Sequence, residues 1–148
     1  MSVRSVAIEK LEGRLEQIRK SNGYATDAGQ LIFLGEQPVL GPDDPVAAIA
    51  MVVRRDEPGY QGENVDTVLP VEVQAIVKAD ITRPWATIEA VIGDIKKAVE
   101  VDHDLGGTLK PRGLERGATE PMDREAGSEF VGCGVTYRLN FAEQWGAP

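Results

Sequence analysis

Three kinds of residue in this chain have the chemistry for a reactive or ligand-holding site: one histidine, one cysteine and several close-set aspartates. His103 lies in Val101-Asp102-His103-Asp104-Leu105. An imidazole flanked by carboxylates suits a metal ion or a proton exchange. Neighbours in sequence point in different directions on a helix, however, and no second His or Cys stands at ligand spacing. A polar turn at a helix C-terminus explains the segment, with the imidazole complementing the helix dipole. Asp43-Asp44 precede Pro45, which reads as a turn rather than a carboxylate pair.

Cys133 has only His103 as a potential base, and no acid is marked as its partner. It falls on the apolar side of an alternating segment, where a free thiol behaves as a small hydrophobe. Gly127, Gly132 and Gly134 lack the strand–GxGxxG–helix context of a dinucleotide site. They suit positions where a backbone or a large side chain comes close to a strand. No phosphate loop or nucleophile elbow occurs. The expectation is therefore no catalytic residue, no metal, no cofactor and no enzymatic activity.

The elements that must position these residues follow from periodicity. Val3, Ala7, Leu11, Leu15 and Ile18 recur at helical spacing, which predicts a helix over 3–20 capped by Ser2. Three β segments are expected at Gln30–Leu34, Val46–Arg54 and Thr67–Lys78. The second has no polar residue until its end and reads as buried on both faces. The third alternates, with Val71, Val73, Ala75 and Val77 on one side. Asp56–Asp66 reads as a polar loop, a hairpin tip or a reach between subunits.

A second helix is expected over 83–101, with Thr82 as its cap and Pro84 in its first turn. Trp85, Ile88, Val91, Ile92, Ile95 and Val99 form its apolar side, and Asp94 falls with the polar residues. After Gly106-Gly107 come a short strand at Thr108–Lys110 and an exposed loop, Pro111–Ser128. The closing strand, Glu129–Phe141, is the clearest: Val131, Cys133, Val135, Tyr137, Leu139 and Phe141 alternate with small or polar residues. The fold class is α+β, a mostly antiparallel sheet with two helices packed on one face, in the order α-β-β-β-α-β-β. No repeat or internal boundary divides residues 1–148, so one domain is expected.

Composition agrees with such a domain. The chain has 148 residues, about a quarter of them Val, Ile, Leu or Phe, enough to build a core. Lys plus Arg is 16 and Asp plus Glu is 24, a net charge of −8, which disfavours binding the outside of a nucleic-acid duplex. No apolar run approaches the length of a membrane helix, and no secretory pattern opens the chain. A soluble intracellular protein is expected, without membrane association.

Two segments carry a resemblance. The first runs from Thr82-Arg83-Pro84-Trp85-Ala86 through a helix to Val101-Asp102-His103-Asp104-Leu105-Gly106-Gly107-Thr108-Leu109. The second is Gly127-Ser128-Glu129-Phe130-Val131-Gly132-Cys133-Gly134-Val135-Thr136-Tyr137-Arg138-Leu139. Together with the element order over Val3 to Phe141, they resemble tail terminator and minor tail proteins of long-tailed bacteriophages and phage-like particles.

The resemblance implies a small structural subunit of the virion, assembled in the host cytoplasm as a homo-oligomer, a hexameric ring. Such a ring caps the tail tube, stops its polymerisation and meets the head-completion or stopper protein in the neck. DNA passes through it without specific binding. An acidic lumen would keep that DNA mobile. The candidate lumen-facing residues are Asp43, Asp44, Asp56, Glu57, Glu63 and Asp66. Two alternatives stand beside this reading: another neck or tail-completion component, and a small cytosolic module that binds a ligand or a peptide.

Overall fold

The computed structural model describes residues 1–35, 47–79, 82–122 and 128–148. The first helix, α1, spans Val3–Glu16, and the Ser2 side chain accepts a hydrogen bond from the Ser5 amide to cap it. It ends earlier than the apolar period suggests. Ile18 is still fully buried, but it is carried on the chain that leaves the helix for two short 3₁₀ turns, Lys20–Asn22 and Ala28–Gln30.

The strands are β1 (Ile32–Leu34), β2 (Ala47–Val53), β3 (Glu57–Gln61) and β4 (Asn64–Lys78), followed by helix α2 (Pro84–Val99), then β5 (Leu114–Met122) and β6 (Phe130–Gln144). The architecture is the α+β arrangement expected, with one strand more before α2. The sheet order is β1-β2-β4-β6-β5, and β3 continues the line of β2 along β4. Every pairing is antiparallel except β1 with β2.

β4 and β6 pair over their whole length, from Asn64↔Gln144 to Lys78↔Phe130. Their odd-numbered residues face the helices. Leu69, Val71, Val73, Ala75, Val135, Tyr137, Leu139 and Phe141 are all inaccessible there, packed with Leu11 and Leu15 of α1 and Ile95 and Val99 of α2. Each such aliphatic side chain contributes about 1.5–3 kcal/mol by leaving water. β2 is buried on both faces, as its sequence predicts.

Several expectations are corrected. Asp56–Asp66 is a hairpin, as one of its readings had it, but not a loop: β3 and the start of β4 run through it. Thr108–Lys110 is not a strand, and the partner of β6 is instead β5, inside the expected loop Pro111–Ser128. α2 begins at Pro84 with Arg83, not Thr82, in the cap position. Trp85 is 62% exposed, off the core side of α2, while Asp94 is buried. The sheet's edge strands and one acidic side chain thus sit where only long-range contacts put them.

Candidate functional site

Of the six acidic candidates, Asp43 and Asp44 lie outside the described residues, and the other four cluster around the β3–β4 hairpin. Strand pairing explains the clustering. Glu57 pairs with Val68, and Gly59 lies against Asp66, so Glu57 and Asp66 stand on the sheet face away from the helices. Glu63 occupies the exposed turn.

Two of the four carboxylates are neutralised. Asp56 accepts a hydrogen bond from the Arg4 guanidinium at 3.2 Å, and Asp66 accepts one from Lys110 Nζ at 2.8 Å. Among the described residues no ion pair engages Glu57 or Glu63. The sequence offered no sign of either pairing, because the partners come from α1 and from the chain after α2.

The Asp102–Gly107 segment is a structural knot. Asp102 Oδ2 accepts from Arg14 at 2.9 Å and from the Gly106 amide at 3.2 Å, while Oδ1 accepts from the Asp104 amide. The Arg14 hydrogen bond holds the Asp102 carboxyl below its ordinary range, outweighing a small effect of burial. Arg14 also donates to Val99 O at 2.9 Å and so closes the C-terminal end of α2. Leu105, Gly106 and Gly107 follow with φ of 48°, 65° and 90°, a left-handed run that turns the chain sharply and drives Leu105 into the core. Two glycines suit that run because a Cβ is disfavoured in it.

His103 is exposed, and its carbonyl accepts from the Leu114 amide at the start of β5. Among the described residues no three His, Cys, Asp or Glu side chains gather as metal ligands would. Cys133 is buried, and burial pushes its thiol up to about 11, which keeps it protonated at neutral pH. The glycines beside it admit close neighbours: Met122 and the Ala75 carbonyl approach Gly132, and the Glu72 carboxylate approaches Gly134.

A residue triad missed at the level of sequence joins β5, β6 and the end of α2. The buried Tyr137 hydroxyl donates to Glu100 at 2.8 Å, and Arg116 clasps the same carboxylate through Nε and Nη2. Burial works against the ionised Glu100, but these hydrogen bonds outweigh it and hold its carboxyl below the ordinary range. Burial, reinforced by that carboxylate, raises the Tyr137 phenol. The triad fixes a strand edge to a helix end.

A surface groove of about 370 Å³ opens between the 3₁₀ turns, the end of β4 and the first turns of α2, with Lys20, Thr26, Asp27, Lys78 and Thr87 among its lining. Among the described residues no helix is long and apolar enough to cross a membrane. The chain matches no model of a known protein family. It likewise matches no curated protein.

Proposed function

We propose that this chain is a structural subunit of a phage-like tail: a ring-forming terminator that caps the tail tube, halts its growth and joins it to the head-completion proteins, with DNA passing through the ring. The supporting observation is the length of the central strands. β4 and β6 each have 15 residues, roughly 45–50 Å of sheet, whereas α2 has 16 residues and reaches only about 24 Å. The sheet outruns its helices, so Asn64–Asp66, Ala142–Gln144 and all of β3 lie beyond the core.

A domain that works alone gains little stability from such an extension, because it buries little apolar surface. A subunit that docks against neighbours gains an interface from it. The exposed Glu57 and Glu63 suit a wall that repels phosphate, and the net charge of −8 is in keeping with it. In this reading the chain has no catalytic role and works inside the virion neck.

Imaging particles made with and without the protein tests the reading. Overlong tails, or separate heads and tails, are expected in its absence. Normal particles would remove it. The reading as a ligand- or peptide-binding module rests on the groove between the 3₁₀ turns and α2, and a saturable small-molecule or peptide shift in Lys20, Thr26 and Lys78 resonances would favour it.

A further inference from the structure

We infer that the far end of the β3–β4 hairpin is a docking surface for a basic, arginine-bearing polypeptide segment. Two aromatic side chains converge there from distant parts of the sequence. Tyr60 is 77% exposed and Trp145 is 60% exposed. Trp145 Nε1 donates to the Gly62 carbonyl at 2.9 Å, which fixes the indole against the turn. The Tyr60 ring lies over the same residue, so close that a Cβ at Gly62 would come within 2.8 Å of a ring carbon. The glycine is what lets the phenol lie across the turn.

Of these two large flat side chains one is tethered to the turn and the other lies over it, and both stay open to solvent. Ordering them in advance lowers the entropy lost when a partner arrives.

The charge around them selects the partner. Residues 57–66 and 142–145 contain Glu57, Glu63, Asp66 and Glu143 and no Lys, Arg or His. Lys110 compensates Asp66, whereas Glu143 accepts a hydrogen bond from the neutral Thr67 hydroxyl and no ion pair engages it among the described residues. A guanidinium satisfies both features at once, since its plane stacks on an aromatic face while its edge pairs with a carboxylate. The phosphates of a nucleic acid and the headgroups of an anionic membrane meet repulsion at the same place. This surface does not depend on the chain being a tail terminator, and either reading can fail alone.

The test uses the full chain carrying Trp85→Phe, which leaves Trp145 as its single indole because the sequence holds two tryptophans. A short alternating Arg-Gly peptide is titrated while Trp145 emission is followed, beside a Lys-Gly peptide of equal charge. A saturable change is expected, tighter for the arginine peptide. Tyr60→Ser, and separately Glu57→Gln with Glu63→Gln, should each weaken it about tenfold. Removing two exposed charges from α1, Glu9→Gln with Glu16→Gln, should leave it within about twofold, as unpaired surface charges act weakly at a distance. The inference is overturned if the α1 variant weakens binding as much as the hairpin variants, or if the two peptides bind alike. Preferential binding of a single-stranded oligonucleotide or of anionic vesicles would overturn it as well. All the substituted side chains are exposed or half-exposed, and an unchanged melting curve for each variant confirms that the fold is retained.

Discussion

The Asp94 carboxylate, on the inner side of α2, accepts hydrogen bonds from both the amide and the hydroxyl of Thr26, at 2.8 and 2.7 Å. Its other oxygen accepts from the Ala25 amide at 3.0 Å. One acidic side chain thereby satisfies the polar groups of a loop pressed against the helix, and the loop in turn leads into β1. Asp94→Ala strips three donors of their acceptor in a site that is 5% exposed. A loss of about 2–4 kcal/mol is expected in urea denaturation. A loss under about 0.5 kcal/mol would mean that the loop finds other partners.

Two positions of α2 should respond unequally to truncation. Ile95 is inaccessible, and Ile95→Ala should cost about 2–5 kcal/mol. Trp85 is mostly in solvent, so Trp85→Ala should cost less than about 1 kcal/mol despite the larger deletion. Thermal melts of the two variants check the order, and a larger cost at Trp85 would place it in the core after all.

Acid should weaken the protein through its paired carboxylates. Glu72, held down chiefly by Arg54, shares its lowered range with Glu100 and Asp102. A carboxyl lowered in the folded state stabilises it fully above its unfolded value, about 4, and loses that contribution as pH falls toward the folded value. The urea midpoint should thus hold steady from neutral pH to about 5 and decline below about 4. Arg14→Met should flatten part of that decline, because Asp102 then loses the chief cause of its lowering and keeps only the Asp104 and Gly106 amides. An unchanged slope would show that the Arg14–Asp102 pair contributes nothing to it.

The left-handed turn after α2 should discriminate by backbone rather than by bulk. Nothing lies within 4 Å of a Cβ placed on Gly107, yet its φ is 90°. Gly107→Val should cost about 1–2 kcal/mol, with Gly107→Asn costing less because asparagine tolerates the left-handed region. Equal melting temperatures for the two would show that the turn relaxes.

If the hairpin carboxylates face a DNA passage, reversing them should create an affinity that the native chain lacks. Glu57→Lys with Glu63→Lys is expected to bind duplex DNA in low salt and to release it as salt rises through the physiological range, where screening extends over about 8 Å. Particles assembled with this variant should eject DNA more slowly. Unaltered ejection would move these residues to an outer wall.

Alternation and helical spacing made the core legible in the sequence. Val131 through Phe141 buries every odd-numbered residue as its period of two requires, and β2 reads as doubly buried because it holds no polar side chain. Those signals are local, since each side chain's own character tells which way it faces. β3 and β5 carry no such signal, as every residue in them is exposed or half-exposed and their strand geometry comes from pairing with β4 and β6. The same holds for charge. The sequence determined that Asp56, Asp66 and Asp94 are acidic, and nothing near them shows that two find Arg4 and Lys110 or that the third is buried against a loop. Those partners stand 52, 44 and 68 residues away, and only the closing of the fold brings them within hydrogen-bonding distance.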